Sequence, residues 1–281
     1  MAIQKVVVCG AGTMGSGIAQ VSATAGFNTV LYEVSETVLA KAQAAIKGSL
    51  RSAVQKGKLA ADREAAIFNS ILFTSDLEDC TGDLVIEAIV EIEDVKTTLF
   101  KSLAALNGGK AVIASNTSSL SISALASGIE HPERVAGLHF FNPAPLMKLV
   151  EVVKGKQTSG EVTEALLQFT KALGKTPVVC IDVPGFIVNR VARPYYIEAL
   201  RLAEENLSSF EKTDRLLQGL GFKLGPFQLM DLIGNDVNYA VSCSVYEQLG
   251  KPERLKPSVI QQEKVERGEY GRKTGKGYYE Y

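Results

Sequence analysis

Short β-branched runs alternate with stretches of helical periodicity over roughly the first 180 residues, the pattern of a doubly wound α/β sheet. Val6-Val7-Val8-Cys9 ends at Gly10 and reads as a strand buried on both faces. Met14, Ile18, Ala19, Val21 and Ala25 then recur at helical spacing, and Thr29-Val30-Leu31-Tyr32 forms a second strand running into Glu33. This is a strand–helix–strand unit of the length that a right-handed crossover needs. Ser35-Glu36 opens a long helical stretch with Val38, Leu39, Ala42, Ile46, Leu50 and Val54 on its apolar side. That stretch stops near Gly57, and a second helix is expected from Asp62 to Asn69. Further strands are predicted at 84–86, 111–114, 135–138, 149–153 and 178–180. The pattern changes at Asp182-Val183-Pro184-Gly185, after which the apolar periodicity is helical throughout. The expected organisation is an α/β domain over 1–183, with a helical insertion at about 36–70, and a smaller all-helical domain over 184–281.

Composition narrows the function classes. Thirty basic against 31 acidic residues give a net charge of −1, which speaks against nucleic-acid or polybasic membrane binding. No uncharged apolar stretch is long enough to span a membrane, and the N-terminus lacks a signal-peptide layout, so a cytoplasmic protein is expected. The four cysteines, Cys9, Cys80, Cys180 and Cys243, are scattered without metal-ligand spacing and read as buried thiols; no metal is expected.

Gly10-Ala11-Gly12-Thr13-Met14-Gly15 matches G-x-G-x-x-G between a strand and a helix, and Glu33 ends the next strand 18 positions after Gly15. Gly10 permits the turn, Gly12 lets a pyrophosphate approach the backbone, and Gly15 lets helix and strand pack closely. The helix N-terminus offers unpaired N–H groups to the phosphates. Glu33 suits the adenosine ribose hydroxyls and repels a 2′-phosphate, and Val34-Ser35 brings no arginine to accommodate one. NAD is expected over NADP.

Only two histidines are present. His131 sits in the polar stretch Glu130-His131-Pro132-Glu133, whereas His139 ends an apolar strand, where ligands bind in open α/β sheets. Glu151 interrupts the next β-branched run. The two make a general base with its orienting partner, or else a satisfied core histidine beside an edge-strand glutamate. Ser115-Asn116-Thr117-Ser118-Ser119 either caps the following helix or aims polar groups over the same sheet edge. Asn189 stands in Pro184 to Arg190, at the opening of the helical domain and of an expected interdomain cleft.

The motifs Gly10 to Gly15, Glu87-Ala88-Ile89-Val90-Glu91, Ser115 to Leu120, His139-Phe140-Phe141-Asn142-Pro143 and Pro184 to Arg190 resemble the L-3-hydroxyacyl-CoA dehydrogenase family. Gly225-Pro226-Phe227 with Asp231, and the ending Gly271 to Tyr279, fit the same pattern, so the resemblance runs along essentially the whole chain. It implies a Rossmann-type NAD-binding domain, a helical dimerisation domain, a homodimer and an acyl-CoA substrate. By the same resemblance, His139 is the catalytic base, Glu151 its partner, and Ser118 and Asn189 hold the substrate's C3 oxygen. Glu91, Lys96, Asn116, Ser118 and Asn142 lie around the nicotinamide half of NAD, with Ser118, Asn142 and Asn189 also meeting substrate. Ser49 and Lys56 match positions that meet CoA, and Arg51, Lys56 and Lys58 form a cationic patch for its phosphates. Many relatives carry Asp where this chain has Glu33.

A 3-hydroxybutyryl-CoA/acetoacetyl-CoA pair is the first expectation for substrate. Arg193 is unusual, and the segments 191–202 and 225–241 resemble a branch acting on 3-hydroxyadipyl-CoA. Arg193 then meets a terminal carboxylate, pairs with Glu198, or reaches across a dimer. The competing functions are a β-hydroxyacid dehydrogenase with Lys96 as base and a non-enzymatic NAD-binding protein.

Overall fold

A computed structural model describes residues 1–281, which divide into two compact units, Met1–Asp182 and Val183–Tyr281. The first unit is built on an eight-stranded sheet. Its strands are β1 (Lys5–Cys9), β2 (Asn28–Tyr32), β3 (Ile71–Thr74), β4 (Leu84–Glu87), β5 (Val112–Ser115), β6 (Val135–Phe140), β7 (Leu149–Lys154) and β8 (Thr176–Ile181). They lie in the order β3-β2-β1-β4-β5-β6-β7-β8, and all neighbours are parallel except β6 and β7.

Alternate residues of each strand serve opposite faces. Val6, Val8, Leu84, Ile86, Val112, Leu138, Val150 and Val152 share one core with α1 (Thr13–Thr24), α2 (Glu36–Gln55) and α6 (Gly160–Ala172). Val7, Cys9, Val85 and Ile113, on the other face, are equally buried, as are Phe100 and Leu103 of α4 (Glu93–Leu106). Helical cover on both faces is what a largely parallel sheet requires. The helical insertion consists of α2 and α3 (Ala61–Asn69), with Ser35 capping α2 by accepting from Val38 N.

Two strand features differ from the sequence expectation. β3 was absent from the predicted set: it is four residues long, directly follows α3 and exposes Leu72, so it carries neither clean alternation nor a fully apolar run. β7 is an interior strand paired with both β6 and β8, so Glu151 is no edge-strand residue.

The second unit contains α7 (Val188–Glu204), α8 (Phe210–Gly219), α9 (Pro226–Ile233), α10 (Asn235–Gln248) and α11 (Val259–Glu266). Phe210, Phe227 and Tyr278 form an aromatic triangle with ring centroids 4.6 to 5.0 Å apart. Two buried aspartates organise the backbone around it. Asp214 accepts from Phe227 N and Gln228 N, both at 3.0 Å, and so caps α9 from another helix. Asp231 accepts from Tyr278 N at 2.9 Å, Tyr279 N at 3.0 Å and Asn235 Nδ2 at 2.9 Å. A Cβ at Gly225 would collide with Asp214, and one at Gly271 or Gly277 with Asp231, which is why those motifs carry glycine.

Replacing Asp231 with alanine strands the buried Tyr278 amide and the half-buried Tyr279 amide, the buried one costing about 1–3 kcal/mol and the other less. We expect Asp231→Ala to lose about 3 kcal/mol in urea denaturation, with Asp231→Asn intermediate; a midpoint equal to wild type for the alanine variant refutes the role.

Candidate functional site

Parallel strands β1, β2, β4, β5 and β6 all end on one edge of the sheet, and the residues at or just after those ends carry the polar chemistry. At β1, Gly10 has φ +100°, and a Cβ there would lie 2.6 Å from the Ala88 carbonyl oxygen. A Cβ on Gly15 would overlap the Gly10 carbonyl oxygen, so α1 seats directly on the turn. Nothing stands within 4 Å of a Cβ built on Gly12, which leaves the backbone open to a ligand there. The first turn of α1, with Thr13 and Met14, has no side-chain cap and no acidic residue. Its unpaired N–H groups are therefore free of competing acceptors from its own cap.

Glu33 receives Ala11 N at 3.0 Å on one oxygen and Ser35 N at 3.2 Å on the other. It therefore stiffens the glycine loop while each oxygen keeps capacity for another donor. The glutamate arm spans from the end of β2 to the loop backbone. Gly10, Gly12, Glu33, Val38, Ala88, Ile89 and Val95 line a cavity of about 820 Å³, whose walls include no lysine or arginine. An open glycine turn, a bare helix N-terminus and a carboxylate beside an apolar slot fit an NAD adenosine diphosphate, and the acidic wall disfavours a 2′-phosphate.

Farther along the edge stands a charge cluster, buried at Lys96 and Glu87 and open to solvent at Glu91. Lys96 of α4 is 1% exposed, and its ammonium lies against Glu87 and, at 3.1 Å, Glu91. Glu87 also accepts from Ile89 N at 2.8 Å and Ser115 Oγ at 2.7 Å. Glu91 accepts from the Thr117 hydroxyl, from Ser118 N at 3.2 Å and from Ser119 Oγ at 3.0 Å. The polar run 115–119 thus serves the two glutamates. The short helix α5 (Ile122–Leu125) is capped by Ser121, whose hydroxyl accepts from Ala124 N. Asn116 Oδ1 accepts from Phe140 N at 2.9 Å and ties β5 to the end of β6. Lys96, committed to two carboxylates beneath the surface, is ill placed as a general base. Glu87 is a functional residue that spacing alone does not single out; the available signal is a carboxylate ending β4 as Glu33 follows β2.

His139 and Glu151 face each other directly across the antiparallel β6–β7 ladder, and His139 Nδ1 meets Glu151 Oε2 at 2.7 Å. Both are buried. With Nδ1 donating to the carboxylate, Nε2 carries the lone pair of the neutral ring. His131, by contrast, is half-buried, and its Nδ1 meets Glu133 at 3.2 Å. Asn142 follows two residues after β6, at a cis peptide bond to Pro143. Asn189 belongs to the second unit, in the first turn of α7.

A second cavity of about 700 Å³ is lined by Ser49 and Lys56 of α2 and its end, with Lys58, Lys148, Lys175, Leu146 and Met147. Arg51 turns away toward Glu64 at 3.9 Å, so the expected cationic patch keeps Lys56 and Lys58 but not Arg51. Lys175, which sequence reasoning passed over, donates to the Ala144 and Met147 carbonyls at 2.6 and 2.7 Å, fixing the loop behind β6. Burial pushes its ammonium down from the usual lysine value. Burial also pushes the Cys180 thiol up to about 12, and the cysteines are all free.

Burial raises the Glu91 carboxyl, but the Lys96 charge and the hydrogen bonds from Thr117, Lys96 and Ser119 outweigh it and leave the group below its ordinary 4.5. The folded state then binds fewer protons than the unfolded one in the acid range, so this contribution to stability is complete above about pH 5 and is lost as pH falls through the depressed value. Glu91→Gln should therefore be less stable than wild type at neutral pH, with the difference vanishing in acid. Parallel urea curves across pH measure it; a gap that persists in acid counts against the carboxylate's role.

Comparison with known proteins agrees with this arrangement. Residues 5–183 match the family model for the 3-hydroxyacyl-CoA dehydrogenase NAD binding domain, and residues 185–281 match that for its C-terminal domain. The chain is 48% identical to a 3-hydroxyadipyl-CoA dehydrogenase of Escherichia coli over 99% of its own length, and spans 59% of that relative. It is 40% identical to a probable 3-hydroxybutyryl-CoA dehydrogenase of Deinococcus radiodurans, covering 99% of this chain and 100% of that one. The crystal structure of (S)-3-hydroxybutyryl-CoA dehydrogenase from Ralstonia eutropha superposes with a TM-score of 0.95 at 38% identity, covering 100% of this chain and 99% of that one. A glycine turn, a histidine–glutamate pair and a helical second unit, in this order and in this fold, place the chain in the 3-hydroxyacyl-CoA dehydrogenase family.

Proposed function

We propose that this chain interconverts (S)-3-hydroxyacyl-CoA and 3-ketoacyl-CoA with NAD, and that the His139–Glu151 pair carries the proton transfer. The supporting observation is the 2.7 Å contact between two buried groups at the carboxyl edge of the sheet. A buried carboxylate is costly unless something meets it, and here the partner is an imidazole, which can take up and give back a proton at its second nitrogen. Bound NAD would supply the hydride acceptor at its nicotinamide ring. His139 takes the proton of the 3-hydroxyl as the C3–H bond gives up its hydride, and returns a proton to the oxygen in the reductive direction. Glu151 stabilises the imidazolium so formed. Ser118 hydrogen-bonds the C3 oxygen as it gains carbonyl character, and Asn189 is assigned a contact to substrate.

Cofactor contacts are assigned to Gly10 to Gly15, Glu33, Asn116, Ser118 and Asn142, with Glu91 and Lys96 holding the 115–119 segment in place. CoA is assigned to the second cavity, through Ser49 and Lys56. A short acyl group is the reading supported by two relatives, one named for 3-hydroxybutyryl-CoA and one for 3-hydroxyadipyl-CoA; others are named only as hydroxyacyl-coenzyme A dehydrogenases. No helix is long and apolar enough to cross a membrane, in keeping with a cytoplasmic enzyme. Leu207, Leu216, Leu220 and Phe222 are half or more exposed on the helical unit, and a homodimer through this unit would cover such a surface.

General acid–base catalysis is typically worth 10²–10⁴-fold, so His139→Ala should reduce kcat for NADH oxidation by acetoacetyl-CoA by that much, with NADH binding intact in a fluorescence titration. Wild-type turnover in this variant would sink the assignment. Glu151→Gln should slow the reaction and move its pH profile, and an unaltered profile speaks against the pair. Sedimentation should give the mass of two chains for the wild type and of one for Leu220→Glu/Phe222→Glu; a monomeric wild type rules the dimer out.

A further inference from the structure

The cavity of about 700 Å³ lies entirely within the sheet unit and carries charge of one sign only. Lys56, Lys58, Lys148 and Lys175 stand in its wall, and no aspartate or glutamate joins them. Lys56, Lys58 and Lys148 are exposed, so water solvates their ammonium groups, whereas Lys175 is 9% exposed. Lys175 lies between α6 and β8, with its backbone N–H tied to the Thr170 carbonyl at 3.2 Å. Its ammonium donates to the Ala144 and Met147 carbonyls, and burial lowers its proton affinity with no carboxylate to oppose the shift. An ammonium has three donors, and two carbonyls leave one over. A buried charge is costly without a counter-ion, so this wall calls for an anionic group beside the third donor.

The two carbonyls that Lys175 holds belong to a single turn. Leu146 N and Met147 N both donate to the Pro143 carbonyl, at 2.9 and 3.0 Å, and Lys175 bridges the turn from Ala144 to Met147. On its other side the turn rests on α1, where a Cβ at Gly17 would come 3.1 Å from Ala144 Cβ and 3.2 Å from Pro145 Cδ. Asn142, assigned above to the cofactor, is the residue that enters this turn from β6. One lysine thus touches both the cavity and the loop that leads away from His139.

We propose that Lys175 is a positioning residue: a phosphate of the CoA nucleotide meets its third donor, and the charge-paired ammonium then holds the 143–148 turn, and Asn142 with it, in the arrangement that turnover requires. The proposal rests on the preceding reading, in which CoA occupies this cavity. It adds that the nucleotide end of the substrate, remote from the reacting carbon, contributes to kcat and not to binding alone. Binding energy from non-reacting parts of a substrate can serve orientation at the reacting centre, and truncated substrates then lose kcat. An ammonium suits the task, as a compact point charge with donors for a phosphate and two carbonyls at once.

The test compares NADH oxidation by acetoacetyl-CoA with that by acetoacetyl-pantetheine, the same thioester without phosphates, in the wild type, Lys175→Met and Lys175→Arg. The loss of one charge-assisted hydrogen bond predicts a kcat about 10-fold lower for the pantetheine thioester in the wild type, apart from any rise in KM. Lys175→Met should lower kcat for acetoacetyl-CoA toward the pantetheine value, so that the ratio between the two closes. Lys175→Arg keeps the charge and should keep most of the ratio. Equal kcat for the two thioesters in the wild type, with a difference in KM alone, overturns the proposal, and this outcome needs no folded variant. Lys175→Met lowering both by one factor also overturns it, as the signature of a turn that is merely propped. A wild type inactive with both thioesters overturns the dehydrogenase reading and this inference with it.

Discussion

The ammonium of Lys96 is buried inside a protein whose sheet edge must also receive a charged cofactor, and the local architecture is organised around compensating it. Glu87 and Glu91 neutralise it, and they in turn need donors, which Ile89 N, Ser115, Thr117, Ser118 N and Ser119 supply. A half-satisfied buried network costs more than an apolar one, so these groups stand or fall together. The result is a connected frame from the end of β4 through the start of α4 to the segment after β5. Asn116 then carries that frame to β6 through Phe140 N. His139 and Ser118 are held at its two ends, and this gives the proposed chemistry a fixed geometry rather than two independent loops.

Local signals in the sequence were sufficient for the glycine turn, because each glycine answers to a backbone collision within the same strand–helix unit. The helical insertion was equally plain, from the Ser35 cap and the apolar stripe of α2. What sequence could not give was direction. A β-branched run such as Val150 to Val153 reads the same in either orientation, so the reversal at β7 that sets Glu151 opposite His139 was not predictable. The sequence offered the two residues as a pair or as unrelated neighbours, and the ladder register sets them face to face.

The polar run 115–119 was ambiguous for a related reason. Serines and threonines before a helix suggest a cap, and only the folded positions of Glu87 and Glu91 reveal where those hydroxyls go. Arg193 failed in the opposite way. An arginine on a helix with a glutamate nearby reads as a surface charge, but its side chain turns inward to α10. Such choices depend on contacts 20 to 50 positions away in the chain, which no local window contains.

Asp231 binds the backbone of Tyr278 and Tyr279, 47 and 48 positions downstream, and Tyr278 completes the aromatic triangle. Synthesis proceeds from the N-terminus, and domains tend to fold as they emerge. The sheet unit has every strand it needs by Ile181, whereas the core of the helical unit stays open until Tyr279 has been made. The nascent chain therefore passes through a stage in which a finished sheet domain leads an unfinished bundle with Phe210 and Phe227 uncovered. The exposed apolar surface of that interval belongs to the helical half.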